Sequence, residues 1–144
     1  MKQSTELLIF HPHRISIEQF KLVLQRYRSP ALAEADELLK ICDEVGIDRA
    51  VALAFFVKES SCGTAGVATR TKNWGNLRKG KRQVAKTNHP FAVYKSWADS
   101  LRDFCELLRR YEKRGLGTVE KVIPVYAPTS DNNDPAATSR QCAG

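Results

Sequence analysis

The chain has 144 residues, 42% of them hydrophobic and 27% charged, which excludes a disordered polyelectrolyte and suits a single domain with its own core. Its 23 basic and 16 acidic residues leave a net charge of +7, which favours a polyanionic partner such as an anionic cell wall or a nucleic acid. No apolar run approaches the ~18 to 20 residues of a membrane span, and the patch in MKQSTELLIFHPH is too short for a secretory leader.

In chain order, an irregular or extended lead runs to Arg14. Ser16 then caps a helix to about Tyr27, with Gln19 at the capping-box position and Ile17, Phe20, Val23 or Leu24, and Tyr27 along its apolar stripe. Ser29-Pro30 is an N-cap and N1 pair that opens a second helix. Leu32, Ala35, Leu38, Leu39, Cys42 and Val45 keep its period, and Gly46 stops it. Asp48 caps the third element, where the run Ala50 to Val57 is apolar on every side and predicts a buried helix. It stops at Lys58 and Glu59, followed by Ser60, Ser61, Cys62, Gly63 and Thr64.

From Gly63 to Pro90 no period emerges, and so long a loop inside a domain is often functional. A short hairpin is expected between Trp74–Leu77 and Phe91–Tyr94, with Lys79–Lys81 near its tip. Ser96 caps a long helix with Trp97, Leu101, Phe104, Cys105, Leu108 and Tyr111 inward. Asp99 in its first turn and Arg109 and Arg110 in its last complement the dipole. Gly115 and Gly117 end it. Thr118 caps a final helix through about Tyr126, expected to bend or break at Pro124, and the tail from Pro128 reads as loop.

The residue with the most chemistry is Glu59. It follows Phe55 by four and Phe56 by three positions, so it shares a helix face with two rings. Burial against the rings and the negative end of the helix dipole both disfavour the carboxylate, and a carboxyl that keeps its proton is what general-acid catalysis needs. The four cysteines (42, 62, 105, 142) have no metal-ligand spacing, and neither a metal nor another cofactor is expected. Cys42 and Cys105 read as buried thiols. Cys62 lies three residues after Glu59, but His11, His13 and His89 are remote, so a thiol mechanism is disfavoured.

Loops carrying Asn, Trp and Tyr suit carbohydrate, since rings stack on pyranose faces and amides pair with hydroxyl and N-acetyl groups. The ring candidates are Trp74, Tyr94, Trp97 and Tyr126. Trp97 falls on a core stripe and is expected to pack; Trp74, between Asn73 and Gly75, is the expected sugar platform.

Four pieces then occur in a particular order: Glu59-Ser60-x-x-Gly63-Thr64, Asn73-Trp74-Gly75-Asn76-Leu77, Tyr94-x-Ser96-Trp97-x-x-Ser100, and Tyr126-Ala127-Pro128 with Asp131-Asn132-Asn133. Over about residues 16–135 the chain resembles the lysozyme-like superfamily, especially its bacterial and phage glucosaminidase and lytic transglycosylase branches. The resemblance implies a mostly α, lysozyme-like domain with a short hairpin beside an active-site cleft. It also implies cleavage of the β-1,4 glycan strands of peptidoglycan, acting on the wall after secretion or lysis, as a monomer. Glu59 looks like the catalytic acid, with Ser60, Asn73, Trp74, Asn76, Tyr94 and Tyr126 as substrate-binding residues.

Similar proteins continue after the late Asp-Asn-Asn stretch into another tyrosine-containing helix, whereas Ala136 onward is small and polar here, so the C-terminal end of the groove is expected to be incomplete. A second carboxylate would lie ~5 to 9.5 Å from the acid. Asp131 and Asp134 are candidates, although many similar enzymes use the substrate's N-acetyl group or 6-hydroxyl instead. Three other readings fit the same residues: a transglycosylase giving anhydromuramyl ends, a non-catalytic wall-binding module, and a basic nucleic-acid-binding domain. The last would rest on Arg70–Lys86, which has one aromatic and no recognisable nucleic-acid motif, so nucleic acid is disfavoured.

Overall fold

Local signals set most helix starts. Ser16 accepts from the Gln19 amide and the Gln19 side chain accepts from the Ser16 amide, so α1 (Ile17–Arg26) opens with its capping box formed. The computed structural model describes residues 6–88 and 90–130, the last four by backbone alone. Ser29 caps as expected, but Pro30–Glu34 is a 3-10 turn, and the α-helix α2 spans Ala35–Val45. Gly46 ends α2 at φ +80. Asp48 caps α3 (Arg49–Ser60): its carboxylate accepts from the Ala50 amide at 3.0 Å and is also held by the Arg14 backbone and guanidinium.

After a single turn of helix, α4 (Ala68–Thr71), the chain forms a two-stranded antiparallel ribbon of β1 (Ala85–Lys86) and β2 (Ala92–Val93). Ser96 caps α5 (Trp97–Lys113) through the Asp99 amide, and α6 (Val119–Ser130) ends the described chain. These elements make a mostly helical fold with one short hairpin.

The structure corrects three further details. The turn of α4 falls where no period was visible. The hairpin's second strand lies where expected, but its partner is Ala85–Lys86, because Trp74 and Leu77 are drawn into the core. Leu77 still accepts one backbone bond from Ala92 at 2.9 Å. Pro124 does not end α6, which runs six residues beyond it.

The lead ties the helices together. The Ile9 amide donates to Gly117, and Ile9 accepts from the Asp48 amide, so a fully buried Ile9 joins the α5–α6 link to the start of α3. The core is built on α3. On one side Phe56 stacks on Trp74, with centroids 3.9 Å apart and planes 15° apart, and Trp97 tilts across it at 5.2 Å. On the other, Phe55 meets Phe104 and Tyr126 edge-on at 5.2 and 5.1 Å. Each such pair contributes about 0.5–1.5 kcal/mol beyond its buried area, so neighbouring residues of one helix anchor two aromatic clusters.

Candidate active site

Glu59 is the penultimate residue of α3 and is half-buried, at the point where the helix opens. The helix end is held in detail. Ser61, Cys62 and Gly63 follow one another in the left-handed region, at φ 48, 58 and 80. Two non-glycine residues there are strained, and such strain persists only where the surroundings over-determine it. Here the surroundings do. The buried Ser60 hydroxyl donates to the Phe56 carbonyl and accepts from the Gly63 amide at 2.8 Å, while the Ser29 hydroxyl reaches the Cys62 carbonyl at 2.7 Å. Gly63 has no room for a side chain: a Cβ would come within 2.7 Å of the Trp97 ring.

The segment 73–77 is the second support. Asn73 is fully buried; its amide nitrogen donates to Leu77 O and Ala92 O, and its oxygen accepts from the Leu77 amide. The Trp74 amide donates to Ser100 Oγ at 2.9 Å, and the indole Nε1 donates to Ala52 O at 3.0 Å. The Tyr126 hydroxyl donates to Gly75 O. Asn76, left-handed at φ 53, donates from Nδ2 to the carbonyl of Glu59 itself at 3.0 Å. The loop is thus fastened to α3, α5 and α6 and touches the backbone of the proposed acid.

The third support joins the hairpin region to α5. The Tyr94 hydroxyl donates to Asp103 Oδ2 at 2.9 Å; burial and then that bond push the phenol's pKa well up, so it stays neutral. Arg82 bonds Asp103 at 2.6 Å and Glu106 at 2.7 Å. Burial opposes the charged form of Glu106, but bonds from Arg82 and Lys81 outweigh it and hold the carboxyl below its ordinary range. At the start of α5 the Glu34 carboxylate accepts from the Trp97 and Ala98 amides, at the positive end of the helix dipole.

Of the six residues expected to bind substrate beside Glu59, Ser60 follows it in the chain and Asn76 bonds its carbonyl, while Asn73, Trp74, Tyr94 and Tyr126 bond other parts of the frame. Ser60, Asn73, Trp74, Tyr94 and Tyr126 are buried, with their polar atoms bonded inside the protein. The sugar platform expected of Trp74 is a correction: the indole is a core ring, its face covered by Phe56. Tyr94, Tyr126, Ser60 and Asn73 are likewise buried parts of the frame. Asn76 remains half-buried beside Glu59, and Trp97 packs as expected.

Sequence reading missed Glu34, Arg82 and Asp103. Asp103 alone left a trace, as an acid beside the apolar stripe of α5. Asp131 and Asp134, the candidates for a second carboxylate, lie outside the described residues, as do His89 and Cys142.

Cys42, Cys62 and Cys105 are buried free thiols. Burial pushes Cys62 up to about 11, so the thiolate a nucleophile needs is scarce at neutral pH. Native protein treated with iodoacetamide at pH 8 should label Cys62 roughly 100-fold more slowly than an exposed cysteine, and denatured protein should label it fully. Peptide mapping by mass spectrometry checks this.

The family model described as Glucosaminidase (mannosyl-glycoprotein endo-beta-N-acetylglucosaminidase) matches residues 35–143, about three quarters of the chain. No curated protein and no solved structure matches it.

Proposed function

This chain belongs to the glucosaminidase family, and on that premise we propose that it hydrolyses the β-1,4 glycan strands of bacterial peptidoglycan with Glu59 as general acid. The observation that carries the reading is the support given to Glu59. A half-buried carboxyl stands at a helix end whose carbonyl is gripped by Asn76 and whose exit turn is strained yet fully bonded. Such rigidity keeps an acid in register with a leaving oxygen.

In the proposed reaction Glu59 gives its proton to the glycosidic oxygen as the C1–O bond breaks and the bonding pair leaves with that oxygen. The carbonyl oxygen of the sugar's own 2-acetamido group bonds to C1 and stabilises the developing positive charge. Water then attacks C1, the acetamido bond opens, and the Glu59 carboxylate takes the water's proton. No second carboxylate is needed for this route.

Glu59 can serve whichever bond faces it, so the product is set by the sugar bound next to it. The family's description and the Tyr94-Lys95-Ser96-Trp97 and Tyr126-Ala127-Pro128 pieces favour N-acetylglucosamine there. Digested peptidoglycan, reduced with borohydride and analysed by mass spectrometry, should show reduced N-acetylglucosamine ends. Reduced muramic ends would indicate a muramidase and anhydromuramyl ends a transglycosylase; an unaltered glycan would sink the enzymatic reading.

A further inference from the structure

From Ser60 to Ala98 the chain holds eight basic residues and no acidic one, so the segment that follows Glu59 carries a positive field of its own. Acids from α5 neutralise only part of it. Lys81 and Arg82 are paired with Glu106 and Asp103, and Lys95 lies 3.9 Å from Asp99. Arg70, Arg78, Lys79 and Lys86 have no salt-bridge partner among the described residues, and neither has Arg110 on α5.

These five cations are neighbours on one surface. Arg70 and Lys86 line a depression of about 440 Å³ between α4 and the hairpin, over Thr71. Lys86 also lines a second depression of about 440 Å³, with Arg78, Lys79 and Arg110. Among the described residues no carboxylate lines either one. Each falls in the ~300–1,000 Å³ range of ligand clefts, large for a single small ion.

The stretch beneath this surface also holds unsatisfied polar groups. Four buried side-chain polar atoms lack a hydrogen-bond partner among the described residues, and three of them, Thr71 Oγ1, Asn76 Oδ1 and Arg78 Nε, fall within eight consecutive positions. Thr71 is fully buried and lines the first depression; Arg78 lines the second. Buried unsatisfied groups concentrated in this way mark a stretch whose sequence serves something besides its own stability.

The strip also adjoins the proposed acid. Leu77 lines the second depression, and it is covalently next to Asn76, whose amide touches the Glu59 carbonyl at 3.0 Å. Successive Cα atoms are about 3.8 Å apart, so the strip begins within one or two residues of the contact to Glu59.

We propose that the cationic strip of Arg70, Lys86, Arg78, Lys79 and Arg110 binds carboxylates of the peptide stems that branch from the wall glycan, holding the polymer beside Glu59. This rests on the peptidoglycan reading above. Carboxylates are favoured over other anions because the glycan being cut brings its own to this place at every encounter. A single-stranded nucleic acid would call for exposed rings between the charges; of the rings between Ser60 and Ala98, Trp74, Tyr94 and Trp97 are buried and Phe91 is half-buried.

The test uses the full chain carrying Glu59→Gln, so that binding is read without cleavage. Arg70→Gln, Lys79→Gln, Lys86→Gln and Arg110→Gln are combined; all four residues are exposed, and melting should be unchanged. Co-sedimentation with teichoic-acid-free sacculi at low salt should weaken roughly 10-fold or more, with a flatter salt dependence than the parent. Charge-retaining exchanges (Arg70→Lys, Lys79→Arg, Lys86→Arg, Arg110→Lys) should keep the affinity.

Sacculi amidated with carbodiimide and ammonia should bind the parent no better than the neutralised protein. With Glu59 restored, cleavage of uncharged chito-oligomers should be the same with and without the strip. Equal binding of parent and neutralised protein to untreated sacculi would overturn the proposal. So would parent affinity that survives amidation, or a charge effect seen only on teichoic-acid-bearing walls or only on DNA. Charge-dependent binding to sacculi in a protein that cuts no glycan would instead sink the hydrolase reading and leave this one standing.

Discussion

Glu59→Gln should lower the clearing of purified peptidoglycan by 10²–10⁴-fold, the usual contribution of a general acid, while melting within about 2 °C of the parent. The two readouts separate because the helix end does not depend on this side chain's proton. The exit turn is held by the hydroxyls of Ser60 and Ser29, and Asn76 grips the backbone carbonyl of residue 59, which glutamine keeps. Glutamine also matches the shape of glutamate. What it lacks is an acidic proton to give to the leaving oxygen. Turbidity of a wall suspension and a thermal melt of the same preparations decide the matter. A variant that keeps more than about a tenth of the parent rate would remove Glu59 as the acid.

What was legible in the sequence follows the range of the interaction concerned. Ser16 with Gln19, Asp48 with Ala50, and Ser96 with Asp99 are decided within a few positions, so the starts of α1, α3 and α5 could be read directly. The break of α3 after Glu59 was equally visible, because an apolar run gives way to small polar residues. The ring of Trp74 was not. Its flanking Asn73 and Gly75 do make a loop, but the indole turns back onto Phe56 and donates to Ala52 O, 22 residues earlier. Nothing local to Trp74 encodes that partner.

The hairpin shows the same limit. Ala92–Val93 could be placed from its own composition, whereas its partner strand depended on Leu77 being taken by the core. Cross-strand choice is settled by competition between non-local contacts, which a local pattern does not contain.

The pieces that carry the family resemblance thus have a physical meaning beyond contact with sugar. Asn73, Trp74 and Gly75 connect the loop to the hairpin, to α3 and α5, and to α6 in turn. Tyr94 and Ser100 complete those links from the other side. They hold one half-buried carboxyl and one half-buried amide, Glu59 and Asn76, in a fixed relation. On the proposed mechanism the chemistry needs few residues at the surface, and most of the recognisable sequence is the frame that fixes them.

That frame should be brittle at Gly75, and Gly75→Ala is expected to lower the melting temperature by about 15 °C. The reason is space, since Gly75 lies outside the left-handed region. A Cβ there would stand 2.0 Å from the Tyr126 hydroxyl oxygen and 2.8 Å from Phe104 Cδ1. Neither ring can swing aside. Tyr126 and Phe104 are buried, and both meet Phe55 edge-on at 5.1 and 5.2 Å. The added methyl must therefore push α6 away or shift the loop, and either movement breaks the bond from Tyr126 to Gly75 O. Overpacking of about 1–3 kcal/mol plus a lost buried hydrogen bond of about 1–3 kcal/mol gives roughly 4 kcal/mol, which sets the expected shift.

Two companions make the test specific. Gly66→Ala, at φ +71 but with no atom within 4 Å of its Cβ, should cost only the left-handed strain of roughly 1–2 kcal/mol. Tyr126→Phe removes the oxygen nearest the new methyl, so Gly75→Ala with Tyr126→Phe should lose less than the two single changes added together, by about 1 kcal/mol or more. Simple additivity in that cycle would mean that the loop and α6 are not in contact at Gly75, and the account of how the frame reaches Asn76 and Glu59 would fail with it.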